Sequence, residues 1–127
     1  MKTMGFGRAV LLCTMMGLTA CSGNRTVGQP APANAVSTPL AEILASPEAF
    51  DGQTVVLNGI LTGQCASLCD FTYAEDRQSV TIFMGSVKAP RIAVGRPVRV
   101  TATVHRGERQ VVLTARGLEV GSKGGAP

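Results

Sequence analysis

The residues of this chain with the clearest chemical potential are two cysteines, Cys65 and Cys69, which have three residues between them. A disulfide between them would close a short loop and stabilise the fold by about 2 kcal/mol in a loop-entropy estimate. The bond requires the two Cα atoms to lie within roughly 7 Å, whereas four steps along an extended strand cover about 13 Å. The disulfide interpretation therefore predicts a turn at residues 66–68.

The same pair has two alternative interpretations, metal binding and thiol redox exchange. Two thiolates can bind a soft ion such as Cu(I) or Zn(II), but a closed tetrahedral site needs four ligands. The chain adds one histidine and a few methionines, so a copper or zinc site here would be incomplete or shared. Redox exchange is disfavoured because the thioredoxin motif has two intervening residues and because the adjacent Asp70 should raise a thiolate pKa. We expect a structural disulfide and no resident cofactor.

Arginines are the second group with chemical potential. Six of them crowd the last part of the chain: Arg91, Arg96, Arg99, Arg106, Arg109 and Arg116. The strand pattern predicts that Arg99 and Arg116 are neighbours on an outer face, with Phe83 as an exposed aromatic residue. Cations and aromatic rings together can bind a polyanion, whereas the alternative is a solvated face that keeps the protein soluble. Phe83, Arg99 and Arg116 are therefore the candidate ligand-binding face.

The chain lacks the residue combinations of a recognisable catalytic site. With one histidine and eight acidic residues in 127, no Ser/His/Asp set, paired-carboxylate setting or histidine cluster can be assembled. The histidine, His105, stands in a polar turn and is predicted to be solvated. No apolar run reaches the roughly 18 residues of a membrane-spanning helix. The sequence therefore predicts a small, non-enzymatic domain.

A short helical segment and five strands are predicted to position these residues. Pro39 at the first helical position and apolar residues at 40, 43 and 44 predict a helix, and Ser46-Pro47 begins a second turn. The pattern then alternates with a period of two in the segments 53–62, 71–74, 79–84, 95–104 and 110–116, with coiling or a bulge at Gly59. Because five short strands leave exposed edges unless they close, the expected fold is an all-β, five-stranded barrel preceded by a short helix.

The folded unit resembles the small periplasmic OB-fold proteins and lipoproteins called tRNA-anticodon-like or nucleic-acid-binding OB domains. The resemblance rests on PLAEILASPEAFDGQTVVLNGILTGQCASLCDFTYAED, SVTIFM and GRPVRVTATVHRGERQVVLTARGLEV, and residues 63–71 are its sharpest element. It implies a Greek-key barrel with the two cysteines in a loop that OB-folds use for ligand contact. The chain departs from the family where a loop over 85–94 replaces the usual helix between the third and fourth strands. The fold hosts many ligands, so the resemblance does not name one.

The N-terminus resembles a bacterial lipoprotein signal. Lys2 and Arg8 precede an apolar stretch over 9–17, and LTAC at 18–21 matches the lipobox pattern. The resemblance implies cleavage before Cys21, a diacylglyceryl thioether on its sulfur and acylation of the new amino terminus, for example by palmitate. Two or three acyl chains hold a protein stably on a bilayer. Ser22, rather than an aspartate, implies sorting to the outer membrane.

The sequence thus divides into a signal peptide (1–20), the lipidated Cys21 with a flexible tether (21–37), an OB-fold-like domain (38–120) and a disordered tail (121–127). We expect a lipid-anchored binding module of the cell envelope that faces the periplasm. Its partners are the membrane, through the anchor, and an envelope protein or small ligand rather than a nucleic acid. The alternatives are a soft-metal or thiol-redox protein using the cysteine pair, and a polyanion binder using the arginine face.

Overall fold

The computed structural model describes residues 24–122; the predicted signal peptide, Cys21 and residues 123–127 of the predicted tail lie outside this range. Gly121, predicted to begin the disordered tail, is instead buried, and its amide donates to the Pro97 carbonyl oxygen at 2.9 Å. The described elements are, in chain order, β1 (Arg25–Gly28), α1 (Leu40–Ala45), α2 (Pro47–Phe50), β2 (Thr54–Gln64), β3 (Asp70–Glu75), β4 (Gln78–Phe83), β5 (Pro97–Arg106) and β6 (Val111–Val120). Within 24–122, no helix is long and apolar enough to cross a membrane.

Five of the strands form a closed barrel. The long strand β2 pairs antiparallel with both β3 and β5, and β3 forms a hairpin with β4. A short parallel contact joins β4 to β6, and β6 pairs antiparallel with β5, which closes the circle. This strand order is that of the OB-fold, so the predicted five-stranded barrel is confirmed. As expected from the sequence, the connection over 85–94 contains no helix.

The core fills the barrel with alternate side chains of the strands. The predicted inward residues of β5 are all fully buried, namely Val98, Val100, Ala102 and Val104. Phe71 and Tyr73 of β3 are buried with them, as predicted. The Tyr73 hydroxyl donates to Glu75 Oε2 at 2.7 Å, so the polar end of this ring is satisfied. Burial, together with Glu75, raises the pKa of Tyr73, which keeps the ring neutral in the core.

Gly59 permits a close approach between β2 and a buried ring. A Cβ atom at position 59 would lie about 2.5 Å from both the Tyr73 ring and the Ala74 carbonyl oxygen. The irregular pairing that the sequence places at Gly59 occurs instead between Leu61 and Gly63. The missing side chain at 59 therefore serves the packing of Tyr73, and the register shift follows two residues later.

The two helices cover one end of the barrel. Leu40 and Ile43 of α1 are buried in the core cluster, and the Leu40 amide donates to Glu75 Oε2 at 3.3 Å. After α2, the Asp51 carboxylate accepts a hydrogen bond from the Arg106 amide at 2.9 Å. The helical segment predicted from the sequence is confirmed, and these contacts fix it on the ends of β3 and β5.

The segment before α1 differs from the sequence expectation. The range predicted as a flexible tether contains β1, which pairs antiparallel with β6 from Arg25↔Val120 to Gly28↔Gly117. The chain stays close beyond this strand, because the Gln29 amide donates to the Arg116 carbonyl oxygen at 2.9 Å. The sequence Arg-Thr-Val-Gly has one large apolar residue. It therefore shows no apolar alternation from which a strand could be predicted. This segment has no hydrophobic face of its own. It is ordered because it pairs with β6 of the barrel.

Candidate functional site

The cysteine pair lies in the loop between β2 and β3, which we call the thiol loop (residues 65–69). The Cys65 amide donates to the Asp70 carbonyl oxygen at 3.1 Å, and the Leu68 amide donates back to the Cys65 carbonyl oxygen at 2.9 Å. Leu68 adopts a positive φ of 61°, a conformation that lets a short turn reverse the chain. The turn predicted at residues 66–68 is confirmed, and it brings the two cysteine side chains together.

The two sulfur atoms meet at the tip of the thiol loop. Cys65 and Cys69 are free thiols with their Sγ atoms 3.2 Å apart, and the Ser67 Oγ atom lies 3.2 Å from each of them. The Asp70 carboxylate adds an oxygen 3.8 Å from the Cys69 sulfur. One ligand atom from each cysteine and from Asp70 lie within 4.8 Å of one another. The loop thus gathers two sulfurs and one carboxylate, while a disulfide between the sulfurs stays a prediction.

The environment of Cys65 favours its thiolate form. Hydrogen bonds from Ser67 and Cys69 lower the pKa of Cys65 to about 7, because they stabilise the charged sulfur. The Asp70 carboxylate contacts Cys69, its neighbour in the sequence, and the expectation that Asp70 disfavours a thiolate there stays a prediction. A thiol with a pKa near neutrality and an exposed neighbour has the properties of a reactive cysteine. This activation depends on the rotamer of Ser67, which the spacing of the cysteines does not reveal.

The connection between β4 and β5 holds the thiol loop in place through hydrogen bonds. The Gln64 side chain donates to the Pro90 carbonyl oxygen at 2.7 Å and accepts from the Ile92 amide at 2.9 Å. Arg91 donates to the Ala66 carbonyl oxygen at 3.2 Å. These contacts tie the end of β2 and the thiol loop to one side of the connection. Gln64 carried no distinguishing mark in the sequence, because its role depends on a partner 26 residues away.

A neutral groove runs over the outer faces of β3 and β4, and we call it the β3–β4 groove. It has a volume of about 450 Å³ and is lined by Thr72, Ser79, Val80, Thr81, Phe83, Gln110 and Val111. Phe83 is 41% exposed, as the sequence predicts for this ring. None of the lining residues is charged. Hydroxyl groups, one amide and one aromatic ring therefore face a ligand at this surface.

The predicted face of Phe83, Arg99 and Arg116 is not formed as a single surface. Arg99 lies opposite Glu119 in the register of β5 and β6, and a register shift separates it from the row of Arg116. Its side chain is only 16% exposed, because it donates to the Ala35 and Pro32 carbonyl oxygens at 3.0 and 3.3 Å. Arg99 therefore holds the N-terminal segment on the barrel. A prediction that assumes strict alternation of inward and outward residues includes neither the bulge in β6 nor the contact of Arg99 with the N-terminal segment.

Arg116 lies in a separate groove beside β1. This groove has a volume of about 630 Å³, and Gly28, Lys88 and His105 also line it. His105 is exposed, in agreement with the expectation of a solvated side chain, but it lies in β5 and pairs with Val112 rather than standing in the predicted turn. The sequence could not predict the groove, because one of its walls is the segment expected to be flexible. Arg116 and Phe83 consequently belong to different surfaces.

Comparison with known proteins shows the fold and no family. No protein-family model matches the sequence, and no curated protein matches it. Among solved structures, the chain is similar to the crystal structure of a protein assigned as an aspartyl-tRNA synthetase from Leishmania major Friedlin, with a TM-score of 0.58 and 13% sequence identity. The match covers 79% of this chain and 24% of that chain, so the described barrel corresponds to a small part of the larger protein. The similarity supports a mostly β, closed five-stranded barrel of the OB type.

Proposed function

We propose that this protein is a non-enzymatic binding module of the cell envelope, anchored by a lipid on Cys21, with its ligand in the β3–β4 groove. The observation that carries the binding role is the groove itself, an exposed Phe83 ring surrounded by neutral polar groups on an OB-fold barrel. In OB-folds, this face and the loops at its ends commonly bind oligonucleotides or oligosaccharides.

The chemistry of the β3–β4 groove favours a neutral, hydroxyl-rich ligand such as a short oligosaccharide. Thr72, Ser79 and Thr81 offer hydroxyls that both donate and accept hydrogen bonds, and Gln110 adds an amide. The Phe83 ring provides a flat apolar surface on which the C–H face of a sugar can pack. A nucleic acid would require cations along its backbone. The groove supplies none, and Asp70 stands directly opposite Phe83 in the strand register.

Replacement of Phe83 by Ala tests the binding role. We expect a β-1,4-linked oligomer of N-acetylglucosamine to bind the wild-type protein and to bind the variant about fivefold more weakly, since an aromatic contact contributes about 1 kcal/mol. The matched control is Val94→Ala, which removes an exposed apolar side chain outside the groove. Isothermal titration calorimetry measures both affinities. Equal affinity of all three proteins, or salt-dependent binding of oligothymidylate in place of the sugar, would contradict the proposal.

A second candidate function is the binding of a soft metal ion by the thiol loop. It is favoured by one observation, the 3.2 Å separation of the two sulfurs with the Asp70 carboxylate beside them. Thiolates suit Cu(I) and Zn(II), and a partner molecule or water would have to complete the coordination of either ion. The same proximity suits a disulfide, which needs only a small further approach of the sulfurs. The polyanion alternative loses support, because Arg99 is engaged by backbone carbonyls.

Intact mass tests the anchor and the state of the thiols together. We expect protein isolated from bacterial membranes to begin at Cys21 and to carry a diacylglyceryl group and one further acyl chain, whereas a Cys21→Ser variant keeps residues 1–20. If Cys65 and Cys69 form a disulfide, two alkyl groups add only after reduction. A native mass that includes a metal released by denaturation would favour the second candidate instead. Normal processing of the Cys21→Ser variant would refute the lipid anchor.

A further inference from the structure

Three arginines gather at the end of the barrel where β1 begins, and we call this surface the basic end. It comprises Arg25, Arg91 and Arg96, which line a shared cavity of about 450 Å³. Building on the lipid anchor proposed above, we infer that the basic end lies against the membrane and binds the phosphate groups of anionic phospholipids.

The strand pairings place the basic end at the point where the anchor would reach the barrel. Arg25 pairs with Val120 at the end of β6, and Val120 pairs with Val98 at the start of β5. Arg96 immediately precedes β5, and its Nε atom donates to the Gly121 carbonyl oxygen at 2.6 Å. One end of the molecule therefore contains the first residue of β1, the last residue of β6 and the first residue of β5.

The length of chain between Cys21 and β1 limits the distance of this end from a bilayer. Arg25 is four residues beyond Cys21, and four residues span at most about 14 Å when fully extended. The Debye length at physiological ionic strength is about 8 Å. With Cys21 at the membrane interface, Arg25 thus stands within a few Debye lengths of the headgroups even at full extension, and closer in any other conformation. A long flexible tether would not impose this proximity, whereas the observed β1 does.

The charge of the basic end is suited to anionic headgroups. None of the residues lining its cavity is acidic. Among the described residues, no carboxylate forms a salt bridge with Arg25 or Arg91. Arg91 donates to the Ala66 carbonyl oxygen, which orients its guanidinium but leaves its positive charge and further N–H donors for a phosphate. Fixed guanidiniums with remaining donors are the groups that bind phosphate oxygens well.

An exposed apolar residue lies between two of these arginines along the chain. Val94 is 68% exposed and stands between Arg91 and Arg96 in the same connection. An exposed apolar side chain flanked by arginines matches the composition of surfaces that enter the interfacial region of a bilayer. The opposite end of the barrel carries the helices and the loop between β5 and β6. The two ends therefore differ in the elements that they expose.

Vesicle binding by the mature chain without its acyl groups tests this inference. The probe is co-sedimentation of a Cys21→Ser chain, begun at residue 21, with vesicles of equal parts phosphatidylglycerol and phosphatidylcholine, or of phosphatidylcholine alone. We expect salt-sensitive binding to the anionic vesicles only. A double variant, Arg25→Gln with Arg91→Gln, should bind about thirtyfold more weakly, since each basic residue near an anionic surface contributes about a fivefold effect.

The matched control makes the same charge change at the opposite end, with Arg106→Gln and Arg109→Gln. It should lose less than about threefold, and circular dichroism should show that both variants keep the barrel spectrum. Equal losses in the two variants, or binding that ignores phosphatidylglycerol, would overturn the inference. This test is separate from that of the anchor, because a lipidated Cys21 with no phosphatidylglycerol dependence would leave the anchor standing and the membrane-facing end refuted.

Discussion

At the scale of single residues, the thiol loop shows how one hydroxyl changes the chemistry of a cysteine pair. Ser67 lies 3.2 Å from both sulfurs and is the largest cause of the lowered pKa of Cys65. A thiol with a pKa of about 7 is roughly half ionised at neutral pH, whereas an ordinary thiol is a few per cent ionised. At neutral pH the Cys65 thiolate is therefore readily available.

The pH dependence of alkylation tests the role of Ser67. The rate of Cys65 alkylation in reduced protein should rise with pH, with a midpoint near the pKa of about 7, because the thiolate is the reacting form. Ser67→Ala removes a hydrogen bond to the thiolate, so the midpoint should move upward toward the ordinary thiol value of about 8.5. Ser79→Ala, at a distant position on β4, is the control. Peptide mapping measures the rate at Cys65, and an unchanged midpoint in Ser67→Ala would show that the hydroxyl does not set the pKa.

Some features of single residues could be predicted from the sequence and others could not. The turn at residues 66–68 follows from the distance that two cysteines must cover, and it was predicted. The rotamer of Ser67 and the reach of Gln64 to the Pro90 carbonyl oxygen are tertiary features with no local signal. The contacts of Arg99 were unpredictable for the same reason, since its partners, the Pro32 and Ala35 carbonyl oxygens, lie more than 60 residues away along the chain.

At the scale of elements, the strands with a regular apolar alternation were predictable and the others were not. The alternation is clearest in β5, where outward and buried residues alternate from Pro97 to His105, and period two is a strong strand signal. β1 has four residues with one partly buried position. β1 is ordered by pairing with a part of β6 that β4 leaves unpaired, because β4 pairs only with Leu113 and Thr114 of that strand. Such pairing is decided by the assembled barrel.

The two glycines of β2 provide a test of how this strand packs. Gly59→Ala should lower the free energy of unfolding by about 2 kcal/mol, because the new methyl group would overlap the Tyr73 ring and the Ala74 carbonyl oxygen. Gly63→Ala is the matched control, since the nearest atom to its Cβ would lie 3.6 Å away, and its stability should be unchanged or slightly higher. Urea denaturation compares the three proteins. Equal stability of both variants would mean that Tyr73 does not constrain position 59.

At the scale of the whole molecule, the barrel separates three surfaces with different chemistry. The β3–β4 groove is neutral and carries Phe83, the thiol loop holds two sulfurs and a carboxylate, and the basic end holds three arginines. The thiol loop and the basic end meet through the contact of Arg91 with Ala66. The far end of the groove reaches Gln110 in the loop between β5 and β6. In the proposed orientation, the groove extends away from the membrane.

The overall fold was more predictable than the arrangement of these surfaces. Barrel closure follows from the number and spacing of the strands and from the cost of exposed edges, and the parallel contact of β4 with β6 confirms the Greek-key order. The residues predicted to share one face, Phe83, Arg99 and Arg116, are separated by a bulge and lie in different surroundings. Surfaces of this kind depend on register, and one shifted residue changes which side chains are neighbours.

Chemical-shift mapping by NMR tests the central claim, ligand binding in the β3–β4 groove, most directly. The mature chain without acyl groups would be titrated with a β-1,4-linked oligomer of N-acetylglucosamine while its backbone amides are followed. We expect concentration-dependent shifts concentrated at Thr72, Thr81, Phe83 and Gln110, which line the groove. Shifts concentrated instead around Lys88 and Arg116 in the groove beside β1, or no shifts at all, would contradict it.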